Sequence, residues 1–395
     1  MICRLNKHNM FVKLLALYFV SLVFGAMNIG IIGSLLKFIA FLPAFWWLLT
    51  KHSITLSRAL LSAIFFLGFA SLSVFWSIDV SSSLVQDVGT LSLLILLCVS
   101  SGYKYSAQDI EFLKKALVWS SRITAIVVLF TGGSYESRIV LNGLLTEDPN
   151  YLCTYYLLGI ANATELILSS AKHTHKWIYI LEMGLYLMLV IASGSRGGTL
   201  AITMAIAVIV IGSLIQNKVS FKTLFLLVLL TMVVLGLVLL SPYVLPENVL
   251  RRFYIQEIID SRGTGRYQIW QDYLHVFGQS SIWRQLIGYG AGGLPELAKL
   301  QRLNKIIVSH NVFVERLIGV GIVGLMLFIS MLWQFFKITF IKRDLFSMAV
   351  FVGILGIFLS TSFGGKPYWN ILIYIICLKQ FIVYKETNNE KFLEK

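Results

Sequence analysis

The sequence predicts an all-α membrane protein: a polytopic helical bundle of about twelve transmembrane helices, with one large extracytoplasmic loop that contains short helices. Three observations predict it. Of the 395 residues, 57% are hydrophobic, and mean hydropathy is +0.80. Charged residues make up 13%, about half the fraction of a soluble domain. Apolar runs long enough to cross a hydrocarbon core about 30 Å thick recur from one end of the chain to the other.

The spans fall, in order, at residues 11–27, 35–49, 59–77, 88–101, 116–131, 151–169, 177–193, 198–215, 221–240, 312–336, 346–362 and 368–384. The second and fourth are the shortest. The domain organisation that follows is one integral unit: helices one to nine over residues 1–240, an extracytoplasmic loop over 241–309, and helices ten to twelve with a tail over 310–395. The run after Met10 has the charge pattern of a signal peptide but no small-residue cleavage site, and it reads as a retained first helix.

Orientation comes from the short loops. Lys51, Arg58, Lys104, Lys114, Lys115, Lys172, Lys176, Lys218, Lys222, Lys337, Lys342 and Arg343 fall on one side together with both chain ends. The positive-inside rule makes that side the cytoplasm. The opposite, outward side then holds Asp79, the segment 132–150, the turn at 194–198, the loop 241–309 and the turn 364–367. A net charge of +14 would point to nucleic acid in a soluble protein. Here much of it is accounted for by the cytoplasmic loops, so the expected partner is the lipid bilayer and not nucleic acid. Lys37 and Arg122 sit within apolar runs, where each either snorkels to an interface or marks a misplaced boundary.

Cys3, Cys98, Cys153 and Cys377 show no paired spacing, which argues for neither a disulfide framework nor a zinc site. There is no phosphate-binding P-loop and no HExxH pair, and the glycines from Gly288 do not open a βαβ unit. No metal and no cofactor is expected.

Chemistry-bearing residues collect on the outward side. Arg196 lies in SGSRGG, where glycines permit close backbone approach and the guanidinium offers a planar fork of donors for phosphate oxygens. A tight hairpin whose arginine meets lipid headgroups is the other reading. Arg262 and Arg266 stand four apart. If a helix opens at Gly265, Arg266 is a cation in its first turn, slightly unfavourable for the helix and so pointing to a ligand; a solvated interfacial helix is the alternative. His310, in Ser-His-Asn with Asn311, precedes the tenth span, where the helix dipole disfavours its charged form and leaves it able to accept a proton; a capping or interfacial histidine is the simpler reading. Asp148 and Asn150 close another outward loop, as a helix cap and a hydrogen-bonding group for a sugar.

SGSRGG at 193–198, GRYQIW at 265–270, IGYGAGGLPE at 287–296 and SHNVFVERLIGVGIVGLMLF at 309–328, with FWSID at 75–79 and EDPNY at 147–151, together resemble the O-antigen ligase and polysaccharide polymerase superfamily of bacterial membrane proteins. The resemblance implies a multi-pass glycosyltransferase of the bacterial cytoplasmic membrane, working on its outer face with a glycan carried on undecaprenyl pyrophosphate as donor, and inverting without a metal. It implies that Arg196 and Arg266 hold the pyrophosphate and that His310 orients or deprotonates an acceptor hydroxyl, with Arg262, Asn150, Asp148 and Asn311 as further binding residues and Glu315 and Arg316 as support. EDPNY is more like the polymerases of O-antigen, capsule or exopolysaccharide. The alternatives are a ligase that moves the polymer to lipid A core or another carrier, and a transporter or flippase, which would favour midplane sites and repeats that this chain lacks.

Overall fold

In the computed structural model, the described residues are 9–26, 37–50, 53–135, 138–140, 149–169, 176–216, 246–254, 256–257, 265–301, 308–362 and 369–381, with Phe225, Met232 and Tyr243 as single positions. The expected ninth span, the turn at 364–367, Asp148 and Arg262 fall outside them, as does the Lys37 side chain.

The first half of the chain contributes α1 (Met10–Ala26), α2 (Phe41–Thr50), α3 (Arg58–Leu72, continued by a 3-10 turn to Trp76), α4 (Val80–Ser101) and α5 (Ala107–Thr131). The middle adds α6 (Pro149–Leu168), α7 (Lys176–Ala192) and α8 (Arg196–Ile215). Four short helices follow: α9 (Glu247–Arg251), α10 (Arg266–Gly278), α11 (Ile282–Ile287) and α12 (Leu294–Leu300). The chain then runs through α13 (Val312–Lys342), α14 (Leu345–Phe358) and α15 (Trp369–Phe381). Among the described residues, the helices at Arg58–Trp76, Val80–Ser101, Arg196–Ile215 and Val312–Lys342 are long and apolar enough to cross a membrane.

Two helices start earlier than hydropathy alone places them, because capping chemistry extends them beyond the apolar run. Asp79 caps α4, its carboxylate accepting from the Ser82 amide at 2.9 Å and the Ser82 hydroxyl at 2.6 Å. Those bonds hold the Asp79 pKa below the usual carboxylate value. Ser106 and Asp109 form a reciprocal capping box that opens α5 nine residues ahead of the expected start at Ala116. The all-α expectation needs one amendment: an antiparallel hairpin, β1 (Gly133–Tyr135) with β2 (Arg138–Val140), follows α5, with Tyr135 paired to Arg138.

α6 is the central helix. It packs against α5, α7, α8 and α14, and only Glu165 and Leu166 among its residues escape full burial. A helix apolar on nearly every side belongs in a bundle interior. Arg122 is held in an ion pair. It stands within α5 and gives Nε and a terminal nitrogen to the two carboxylate oxygens of Glu182 on α7, at 2.9 and 3.0 Å, while the Tyr186 hydroxyl donates to the same carboxylate at 2.9 Å. That two-pronged pairing meets the cost of a charge in an apolar layer.

The expected tenth span is not one straight helix. α13 breaks at Gly321, whose φ of +70° favours glycine. Phe313 and Phe328 are fifteen residues apart, and an unbroken helix would separate them by about 22 Å. Their ring centroids are 5.9 Å apart, so the first nine residues of α13 fold back sharply. The break frees the carbonyls of Ile318 and Gly319, which accept from the amides of Tyr289 and Gly290 at 3.0 and 2.8 Å. The Trp76 indole in turn donates to Ile287 O at 2.9 Å, and the Ile78 amide to Tyr289 O at 3.0 Å. Three separated motifs, around Trp76, Gly288 and Gly319, are thus knotted through main-chain hydrogen bonds. The folded-back segment lies between two cores. Val312 and Val320 join the main bundle, while Ile318 joins a smaller cluster with Ile269, Tyr273, Phe277, Leu294 and Leu297 of α10 and α12.

Candidate functional site

The cleft is built where helix starts converge. Asn150 is in the first turn of α6, Ser195 caps α8 with Arg196 as its first residue, and Arg266 and Tyr267 open α10. All of them line one cavity of about 260 Å³, together with Arg138 of β2, Arg252, Trp270 and the end of α14 at Leu359 and Ser360. Arg196 and Arg266 are therefore brought together although seventy positions separate them. Both are cations at the first position of a helix, where the backbone already presents a partial positive charge.

The SGSRGG turn takes this shape for packing reasons. The Ser195 hydroxyl accepts from the Gly198 amide at 2.9 Å and donates to the Asn150 side-chain oxygen. The Asn150 amide donates to Ser360 O at 2.9 Å. Gly197 and Gly198 let α8 touch its neighbours: a Cβ on Gly197 would lie 1.9 Å from Ser360 Oγ, and one on Gly198 would lie 2.3 Å from Cys153 Sγ. A larger residue at either place would push apart the helix ends that define the cleft.

The negative ends of the surrounding helices are covered by donors. At the end of α7, Ser193 O accepts from Arg138 Nε at 2.8 Å and Gly194 O from Arg252 Nε at 3.1 Å. The Arg252 carbonyl accepts from Arg196 Nε. What faces the cavity is then four guanidinium groups and three helix N-termini, and among the described residues no carboxylate lines it. Such a surface attracts anions, and phosphate oxygens suit the arginine fork.

His310 does not line the cleft. It is joined to it through Trp270, a lining residue whose indole donates to Ser309 O at 2.9 Å. His310 has φ of +50°, a left-handed conformation that costs a non-glycine residue roughly 1–2 kcal/mol. Its neighbours enforce it. The Ser309 hydroxyl donates to Asn311 O at 3.0 Å, and Asn311 Oδ1 accepts from the amides of Phe313 and Val314 at 2.9 and 3.3 Å. Asn311, not His310, is the cap of α13. Below this turn Glu315 and Arg316 form an ion pair at 2.9 Å, with Arg316 fully buried. Burial and the nearby Glu315 carboxylate push the Tyr273 hydroxyl up to about 12.

Arg138 and Arg252 did not stand out in the sequence as site residues. Arg138 comes from the hairpin and Arg252 from the short turn after α9, and neither is flanked by a glycine-rich motif. Other arginines are structural. Arg284 donates to Trp76 O at 2.9 Å and lies over the Tyr289 ring, and Arg251 pairs with Glu247 one turn away on an exposed helix.

Residues 183–329 match the family model described as O-antigen ligase, a stretch that includes Arg196, Arg252, Arg266 and His310. Comparison with curated proteins returns no match. Apolar helices and this family point to a bacterial membrane protein with glycosyltransferase-like activity on lipid-linked polysaccharide. The match supports the O-antigen ligase and polymerase superfamily over residues 183–329.

Proposed function

We propose that the cleft holds the pyrophosphate of an undecaprenyl-linked glycan on the outer face of the bacterial cytoplasmic membrane, and that the protein joins repeat units of a surface polysaccharide. The observation that carries this reading is the meeting of Arg196 and Arg266, each at a helix start, in one cleft free of lining carboxylates among the described residues. Twelve spans with both termini in the cytoplasm, and residues 241–309 as the outward loop, complete the proposal; Asp148 and Arg262 would extend the binding surface.

In the proposed step the acceptor hydroxyl oxygen attacks the anomeric carbon from the face opposite the leaving group. The bond from that carbon to the pyrophosphate oxygen breaks, its electron pair going to the pyrophosphate, and the anomeric centre inverts. The hydroxyl proton passes to the His310 imidazole. Arg196 and Arg266 stabilise the charge that grows on the leaving group, a role two guanidinium groups can fill without a metal. Asn311 and Trp270 position the histidine, and Asn150 holds the arginine turn.

Arg196→Ala, Arg266→Ala and His310→Ala should each reduce glycan assembly by about a hundredfold or more while the protein still reaches the membrane. Full assembly in all three variants would defeat the reading. The acceptor is separated by the glycan of a deletion strain. Single repeats on the surface carrier mark a lost polymerase; long polymer stranded on the lipid pyrophosphate marks a lost ligase.

A further inference from the structure

We propose that the exposed face of α10 is a glycan-binding track, and that it holds the sugars of the donor beyond the head group through Tyr267, Gln268, Gln271 and His275. The inference rests on the reading of the cleft given above and extends it to side chains that reading does not use.

The periodicity of α10 gives the helix two faces. Ile269, Tyr273 and Phe277 recur every four residues and are buried in the small core against α12 and the folded-back part of α13. Tyr267, Gln268, Gln271, Leu274 and His275 fall on the opposite side and are exposed. Tyr267 stands at the edge of that side. It lines the cleft with Arg266, yet it is 51% exposed. The track therefore begins where a bound head group would end, and from Tyr267 to His275 it runs about 12 Å along the helix.

Bonds among these side chains hold them in place. Gln271 Nε2 donates to the Tyr267 hydroxyl at 3.0 Å, and Gln268 Nε2 donates to Asp272 Oδ1 at 2.8 Å. Each bond uses one amide hydrogen. The other hydrogen and the side-chain oxygen of each glutamine remain for a ligand. Pairs at this spacing also brace a solvated helix. The neighbouring short helices show how this chain does that: α9 uses the ion pair of Glu247 with Arg251, and α12 that of Glu296 with Lys299. From Tyr267 to Gly278, α10 has no lysine, arginine or glutamate. Neutral amides beside an aromatic ring fit a sugar. Its hydroxyls donate to and accept from the amides, and the apolar C–H side of its ring lies on the tyrosine.

The test uses the full chain in detergent micelles. The unfolding temperature is measured against two lipids: the lipid-linked glycan extracted from a deletion strain, and the same lipid trimmed enzymatically to its first sugar. The wild type should respond to the full glycan at lower concentrations than to the trimmed one. Gln268→Ala and Gln271→Ala should raise the half-maximal concentration of the full glycan about fivefold or more and leave the trimmed lipid unchanged. Tyr267→Ala should weaken both lipids, because the ring meets the first sugar, and Tyr267→Phe should restore most of the binding. Glutamines that only brace the helix would give a lower starting temperature with both responses unchanged, and that result overturns the inference. So does a wild type that responds to the two lipids alike. A preference for the full glycan that survives Arg266→Ala places the sugars away from the cleft and overturns it too. If neither lipid stabilises the wild type, the reading of the cleft falls as well. If Arg266→Ala abolishes both responses while the glutamine variants keep the wild-type preference, this inference falls and that reading stands.

Discussion

Gly197→Ala is expected to cost about 1–3 kcal/mol of stability and to remove most glycan assembly, although alanine is the better helix former. Alanine in a helix gains at most about 1 kcal/mol over glycine. Against that gain stands a Cβ placed 1.9 Å from Ser360 Oγ and 2.4 Å from Ser360 Cβ. Rotating the hydroxyl away leaves the second contact, so relief needs the start of α8 to move from the end of α14. Arg196 is the adjacent residue, and its bond to the Arg252 carbonyl would move with it. Activity should therefore fall further than stability. Ser360→Gly removes both clashing atoms, so the double variant Gly197→Ala with Ser360→Gly should recover stability and much of the activity. Gly184, which has open space where a Cβ would go, is the contrasting position, and alanine there should be neutral or mildly stabilising. A Gly197→Ala protein with wild-type unfolding temperature and wild-type assembly would contradict this view of the turn.

Glu315→Ala should destabilise the protein by about 3–5 kcal/mol, the usual cost of taking one partner from a buried ion pair. Side-chain exposure is 1% for Arg316 and 9% for Glu315, so solvent screening does little to soften the loss. Replacing both residues, as in Glu315→Leu with Arg316→Met, should cost much less, because no buried charge is then left over. The two proteins also differ in function. The pair lies in the folded-back part of α13 that begins at the Asn311 cap, one residue after His310. A double variant that folds normally and keeps assembly makes the pair a matter of stability. Lost assembly in a stable double variant assigns it to holding the histidine turn. Chemical denaturation in micelles, read beside glycan assembly, separates the two.

The residues explain what could be read in advance. Arg196 and Arg266 announce themselves because glycine flanks them, and glycine between an apolar run and a charge marks close backbone approach. The helical class follows from hydropathy, since an apolar run in lipid must satisfy its own main-chain groups. The fold-back at Gly321 is hidden, because Val-Gly-Ile-Val-Gly in an apolar run reads as helix; only the loop carrying Tyr289 and Gly290 supplies donors that make a break tolerable. Arg122 reads as an anomaly until Glu182, sixty residues later, is placed on the neighbouring helix. Arg138 and Arg252 are hidden for the same reason: their place in the cleft is set by the end of α7, which each reaches from a distant part of the chain. Local spacing reports local chemistry, and contacts between distant segments need the packed helices.

The most direct test is a structure of the protein with undecaprenyl pyrophosphate bound in a bilayer mimic. Both phosphorus atoms should lie in the cleft bounded by Arg196, Arg266, Arg138 and Arg252, with the His310 turn beside the open end where an acceptor would enter. Phosphate density away from these arginines, in a protein still able to assemble glycan, would contradict the assignment of the site.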